Sequence, residues 1–181
     1  MAKSEFYTAD IAGLKRDLPV CPLNDKLSIA GFVIFGDVEI TVHAAKELLA
    51  RVPEFDYILT PEAKSIPLAY EMSRQSGKKY FVARKKEKLY MRDPVKVKVQ
   101  SITTKGEQTL ILDGKDGKEL RGRKVVLVDD VISTGDSLRA LEKLTENFEC
   151  EIVAKTAVFA EGEAFNRKDL TVLSFLPLIE N

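Results

Sequence analysis

Val125-Val126-Leu127-Val128-Asp129-Asp130-Val131-Ile132-Ser133-Thr134-Gly135-Asp136-Ser137-Leu138 joins an unbroken apolar run to two adjacent carboxylates, a small hydroxyl-rich loop and the start of a helix. The run Val125 to Val128 is short and continuous, as a central parallel strand buried on both faces must be. Leu138, Leu141, Leu144 and Phe148 then recur at three- and four-residue steps, which marks one face of an amphipathic helix whose first turn is Asp136 and Ser137. The loop between them falls where a strand C-terminus meets a helix N-terminus. Open α/β sheets bind ligands at that place, because free backbone N–H groups and a positive dipole end face an anion there. Ser133, Thr134 and Ser137 add hydroxyl donors, and Gly135 permits close approach or a positive φ.

Two carboxylates beside an anion cradle would repel a phosphate unless something lies between them. A sugar fills that gap: its vicinal hydroxyls donate to the acids, or a hydrated Mg²⁺ meets them, while the loop four residues on holds a terminal phosphate. Ribose 5-phosphate has this layout. The stretch from Val126 to Gly135 resembles the phosphoribosyl pyrophosphate (PRPP) binding motif of the type I phosphoribosyltransferases. The alternative, a Rossmann-like strand whose acids merely cap the next helix, accounts for one Asp but not for Asp-Asp followed by Ser-Thr-Gly.

The chain has 181 residues, enough for one domain with a real core. A hydrophobic fraction of 45% and a charged fraction of 31% are those of a soluble globular protein. Lys and Arg together number 28, as do Asp and Glu, so no global field draws the chain to nucleic acid or to a membrane. No apolar run approaches the roughly 18 residues of a membrane span, and the start Met1-Ala2-Lys3-Ser4-Glu5 lacks an apolar leader, which favours the cytoplasm. Cys21 and Cys150 fit no metal or CxxC pattern and read as free thiols; His43, the only histidine, reads as structural. Neither GxxxxGK[ST] nor GxGxxG occurs, which removes P-loop kinase and dinucleotide dehydrogenase readings.

Along the chain, the spacing of Phe6, Ile11, Leu14 and Leu18 predicts a short amphipathic helix from Lys3 to Leu18, ended by Pro19 and Pro22. Gly31 to Phe35 reads as a strand and Glu39 to Val52 as a helix. Tyr57 to Thr60 reads as a buried strand, Ile66 to Ser76 as a helix stopped by Gly77, and Lys79 to Ala83 as another strand. This alternation predicts an α/β fold with a parallel sheet covered by helices on both faces. The segment from Lys85 to Glu107 breaks the rhythm. It is lysine-rich, and Val95-Lys96-Val97-Lys98-Val99 alternates as a ribbon with one apolar and one basic face. It reads either as a solvated hairpin or as a mobile flap closing over a polyanionic substrate, the flap being preferred. Asp113 to Gly117 reads as a turn, Ile152 to Phe159 as a strand, Gly162 to Asp169 as a loop and Leu170 to Leu176 as a closing strand.

A pyrophosphate leaving group needs its own cradle, and Thr60-Pro61-Glu62-Ala63-Lys64-Ser65 lies at a second strand-to-helix junction on the same sheet edge. In the adenine phosphoribosyltransferase branch the corresponding loop carries an acid, a small residue, a basic residue and Gly; Glu62, Ala63 and Lys64 match, and Ser65 replaces Gly. Ser65 also reads as a plain helix N-cap. The stretch Val82 to Leu89 resembles that branch's strand ending in Arg-Lys followed by Lys-Leu, so the resemblance places Arg84 and Lys88 against pyrophosphate.

The resemblance implies a single domain over 1–181, with a small N-terminal hood over 1–40 covering the base and a flexible flap over 85–107. It implies a purine phosphoribosyltransferase: a base, adenine being the best match, attacks C1 of PRPP to give a nucleoside 5′-monophosphate and pyrophosphate. Mg²⁺ is carried by PRPP rather than held by a metal site of the protein, and the chain pairs as a homodimer. Asp129 and Asp130 would orient the ribose hydroxyls, and Ser133, Thr134, Gly135, Asp136 and Ser137 would bind the 5-phosphate. Phe35, in a Phe-Gly-Asp that lacks the Arg of adenine-specific members, would meet the base. The flap Glu of those members falls on Thr104, so Glu107 is the candidate proton acceptor. Two alternatives stay open: the same chemistry on hypoxanthine, guanine, xanthine or orotate, and a PRPP-sensing regulator without turnover.

Overall fold

The computed structural model describes residues 5–100 and 107–181. Its first elements differ from the expected helix: β1 (Phe6–Ile11) and β2 (Leu14–Pro22) form an antiparallel hairpin in which Ile11 pairs with Leu14. Ala12 and Gly13, with φ of 49° and 97°, make the two-residue turn whose positive φ values suit the strand twist, and Asp10 Oδ1 accepts the Gly13 N–H at 2.7 Å. Alternation then buries Ala9, Ile11 and Leu18 and leaves Phe6 in solvent, a period of two that the spacing had disguised as helical. β3 (Leu27–Ala30) continues this sheet, and the expected strand over 31–35 is irregular chain.

α1 (Val38–Leu49) starts at Asp37, whose carboxylate accepts the Ile40 N–H at 3.0 Å. Next come β4 (Tyr57–Pro61), α2 (Ile66–Ser76) and β5 (Tyr80–Ala83). Gly77 ends α2 in the left-handed region at φ 70°, its N–H returning to Ser73 O. The basic ribbon is β6 (Val95–Gln100) paired with β7 (Glu107–Leu112). The residues after it form not a turn but a helix, α3 (Gly114–Leu120), because Asp113 caps Lys115 N and the glycines allow close packing. A Cβ on Gly117 would lie 2.1 Å from the Phe148 ring. β8 (Lys124–Ile132), α4 (Asp136–Glu146), β9 (Glu151–Glu161), a 3₁₀ turn over Gly162–Asn166, β10 (Thr171–Leu176) and β11 (Leu178–Glu180) complete the chain.

Five strands form one parallel sheet in the order β10-β9-β8-β4-β5. Helices α1 and α2 share one face with Ile58, Val126, Val128 and Val158, while α4 and the ribbon share the other with Leu59, Val125, Leu127 and Ala157. The strand order reverses between β4 and β8, so connections leave those two strands in opposite directions and a crevice opens at their C-terminal ends. A second sheet, β1-β2-β3-β11, packs beside β10 and corresponds in position along the chain to the expected hood, with a C-terminal strand added.

Candidate active site

Both loops singled out in the sequence border this crevice. Val125 to Val128 are fully buried and carry β8 outward to Asp129 and Asp130, which are 9% and 3% exposed. Asp129 Oδ1 accepts the Asp130 N–H at 2.9 Å. Burial, reinforced by the neighbouring Asp130 carboxylate, pushes the Asp129 carboxyl well above the usual carboxylate range. Ser133, Thr134, Gly135, Asp136 and Ser137 line a small polar cavity with Asp129 and Gln108. Gly135 has φ 76°, which favours glycine, and a Cβ there would stand 3.0 Å from the flexible end of Arg167. Asp136, in the first turn of α4, is held by Arg139.

The second loop follows β4. Lys64 Nζ reaches across the crevice to Asp130 Oδ2 at 2.9 Å, an ion pair approached off the hydrogen-bonding direction, with Lys64 half exposed. Ser65 does not cap α2 with its side chain. Its hydroxyl turns inward, donating to Pro61 O at 3.0 Å and accepting from Thr60 Oγ1 at 2.7 Å, which braces the loop from within. Ala63 is half-buried between Glu62 and Lys64.

Glu62 does not face an open anion cradle. Its carboxylate is 3.0 Å from Arg84 Nε and 3.1 Å from Arg84 Nη2, and it accepts the Lys85 N–H at 3.0 Å. The guanidinium holds the Glu62 carboxyl below its ordinary range. Glu62 therefore positions Arg84, and a carboxylate so used leaves anion binding to its cationic partner. The Arg84 backbone is in turn bridged to Ile111 of the ribbon through two 2.8 Å hydrogen bonds. Lys88 lies beyond, on the segment that turns back at Met91.

The ribbon itself is tied down. Val97 and Val99 are buried with Leu110 and Leu112 in the core around α4, and Gln108 Nε2 donates to Ser137 Oγ at 2.9 Å. Glu107 pairs with Lys98 at 2.9 Å rather than with the aspartates. Thr104 lies outside the described residues. Phe35 is 53% exposed, and Phe32 is the neighbouring aromatic that packs edge-on against Phe159 at 4.9 Å. His43 Nε2 donates to Ala12 O, 3.0 Å away, a structural link between α1 and the hairpin. Cys21 and Cys150 are free thiols. No helix among the described residues is long and apolar enough to cross a membrane.

Sequence reasoning missed two groups. Glu161 ends β9 beside the crevice, and Arg167 backs the Gly135 loop while bound to Asp169 at 2.6 Å. A carboxylate at the last position of a strand was the available signal for Glu161; none existed for Arg167, whose neighbour is set by tertiary packing.

The sequence profile described as "phosphoribosyl transferase domain" matches residues 39–177. An adenine phosphoribosyltransferase of Cenarchaeum symbiosum is 34% identical over 140 residues, covering 71% of this chain and 79% of that protein. A hypoxanthine/guanine phosphoribosyltransferase of Methanococcus voltae is 35% identical over 64% of this chain but only 59% of its own length. The chain thus spans about three-fifths of that relative. Among solved structures, the adenine phosphoribosyltransferase of Rhodothermus marinus superposes with a TM-score of 0.66 at 18% identity, covering 94% of each chain, which shows a shared fold. A switch-point crevice bordered by two strand-to-helix loops, and a family profile spanning most of the sequence, agree that this chain belongs to the phosphoribosyltransferase family.

Proposed function

We propose that the chain transfers the 5-phosphoribosyl group of PRPP to a purine base, releasing pyrophosphate. The observation that carries this reading is the pairing of Asp129-Asp130 and the 133–137 loop on one strand with the Lys64 loop on its neighbour, bridged by the Lys64–Asp130 ion pair. The loop amides and hydroxyls take the 5-phosphate, and the aspartates accept the ribose 2- and 3-hydroxyls. Lys64, Arg84 and Lys88 neutralise the charge that grows on the departing pyrophosphate. Because C1 becomes electron-poor as that bond breaks, the buried carboxylates at its side stabilise the transition state, and the rest of the rate comes from alignment.

Mg²⁺ bound to PRPP would offset pyrophosphate charge, and the oxygen-only donor set of Asp129 and Asp130 suits so hard a cation. Glu107 is the carboxylate we assign to the departing base proton, a role that requires it to leave Lys98. Adenine is the favoured base, supported by the match to the Cenarchaeum symbiosum protein over most of its length. Pairing with a second copy is supported by the exposed apolar side chains Val38, Val42 and Tyr70 along the α1–α2 groove.

The test is pyrophosphate release from PRPP and Mg²⁺ with adenine, guanine, hypoxanthine, xanthine and orotate offered singly. Turnover with a purine is expected. PRPP binding without release for every base would identify a PRPP sensor instead.

A further inference from the structure

Among the described residues, the cavity assigned to the 5-phosphate has no cation in its wall. It is lined by Gln108, Asp129, the loop over 131–137 and Leu138, and the only charged side-chain types among these are Asp129 and Asp136. A phosphate monoester carries close to two negative charges at neutral pH. The loop amides and the N-terminus of α4 offset part of this, a helix end being equivalent to about half an elementary charge. Arg139 is spent on Asp136, and Lys64 on Asp130 across the crevice. The wall therefore leaves negative charge to be met from outside it.

Arg167 stands behind that wall. It follows the 3₁₀ turn after β9, and its Nη1 lies 3.0 Å from where a Cβ on Gly135 would be, against the one residue of the loop with no side chain to hold it off. The rest of the guanidinium is fixed. Nε donates to Asp169 Oδ1 at 3.0 Å and Nη2 to Asp169 Oδ2 at 2.6 Å, a two-pronged grip that sets the plane of the fork. Asp169 is itself held by Lys155 Nζ at 3.0 Å, and Lys155 reaches Glu142 of α4 at 2.5 Å, so the arginine is anchored to the helix that the loop begins. Among the described residues Nη1 makes no hydrogen bond of its own, and the side chain is 30% exposed. Arginine keeps its charge at any working pH, and that charge acts more strongly in a half-buried place than in open water.

We propose that Arg167 is a positioning residue for the 5-phosphate: it backs the Gly135 turn and supplies the positive charge that the cavity wall lacks. This rests on the proposed transferase reading. The charge acts through the loop, so it favours the dianionic form of a phosphate held there. Pyrophosphate is assigned to the other loop, across the crevice, so the influence of Arg167 falls on the phosphoribosyl end of the ligand.

The experiment measures the affinities of ribose 5-phosphate and of pyrophosphate by calorimetry, and the second ionisation of bound ribose 5-phosphate by phosphorus NMR. It compares the unsubstituted protein, Arg167→Gln and Arg167→Lys, with melting temperature as the control for folding. In Arg167→Gln, ribose 5-phosphate is expected to bind about 10- to 100-fold more weakly, while pyrophosphate changes less than about threefold. The bound phosphate should keep its last proton to a higher pH than in the parent, because a nearby cation favours the dianion. Arg167→Lys keeps the charge and should recover much of both. A weaker ribose 5-phosphate complex whose phosphate ionises as in the parent, and which lysine does not rescue, would reduce Arg167 to a structural brace and overturn the proposal. An equal loss for both anions, or none, would overturn it as well, with the transferase reading intact. Failure of the unsubstituted protein to bind either ribose 5-phosphate or PRPP would overturn the transferase reading, and this inference with it.

Discussion

The ribose-binding role proposed for Asp129 and the contribution of its burial to stability pull in opposite directions. Its native carboxyl titrates well above the roughly 3.9 of an unfolded Asp, so between those two values the native state holds a proton that the unfolded chain has released. Stability from this site is therefore complete below the unfolded value and is lost as pH rises through the native one. Asp129→Asn removes that loss. It should raise the melting temperature of the free protein at neutral and mildly alkaline pH, with the gain vanishing towards pH 3, while abolishing PRPP-dependent turnover. A thermal series across pH on both proteins checks this, and a variant less stable than the parent at pH 8 would contradict it. Asp129, Asp130 and the loop after them were legible in the sequence because strand, carboxylates and loop are contiguous there. Glu62 was legible only as a loop acid: its partner Arg84 lies 22 residues away, and pairing across two parallel strands leaves no local mark.

The ribbon and α3 show how packing overrides pattern at the level of elements. The alternation of Val95 to Val99 is present as read, but the pattern offers only a solvated hairpin or a mobile flap, because nothing local shows that Val97 and Val99 have α4 to rest on. Amides of β6 and β7 should exchange with solvent as slowly as those of β5 in the free protein; fast exchange across the whole ribbon would restore the picture of a flap loose from its base. In α3, glycines that signal a turn in isolation are instead the condition for helix contact with Phe148. Gly117→Ala should cost about 1–3 kcal/mol in urea unfolding through overpacking, partly recovered when Phe148→Leu is added. An Ala as stable as Gly would show that the Phe148 ring can turn aside freely.

At the scale of the molecule, the parallel layer was readable because strands and helices alternate at short intervals from Tyr57 onward, each with its own periodicity. The second sheet was not. Its β1–β2 hairpin has apolar residues whose spacing also fits a helix, and its closing pair, β3 with β11, joins segments from opposite ends of the chain with no local signal to announce the pairing. Ser28 and Asn181, which share a 2.5 Å hydrogen bond at that seam, are 153 residues apart along the chain. Joining ends so distant has an entropic cost that rises by about 0.6 kcal/mol with each doubling of the loop, and it yields only a short seam in return. The parallel layer, whose β4–β5 and β8–β9 contacts are far more local, has no such delay. In refolding followed by pulsed hydrogen exchange, protection of β4, β8 and β9 should precede protection of β3, and the reverse order would refute this. A refolding molecule would then line its crevice before the two ends of its chain are stitched together.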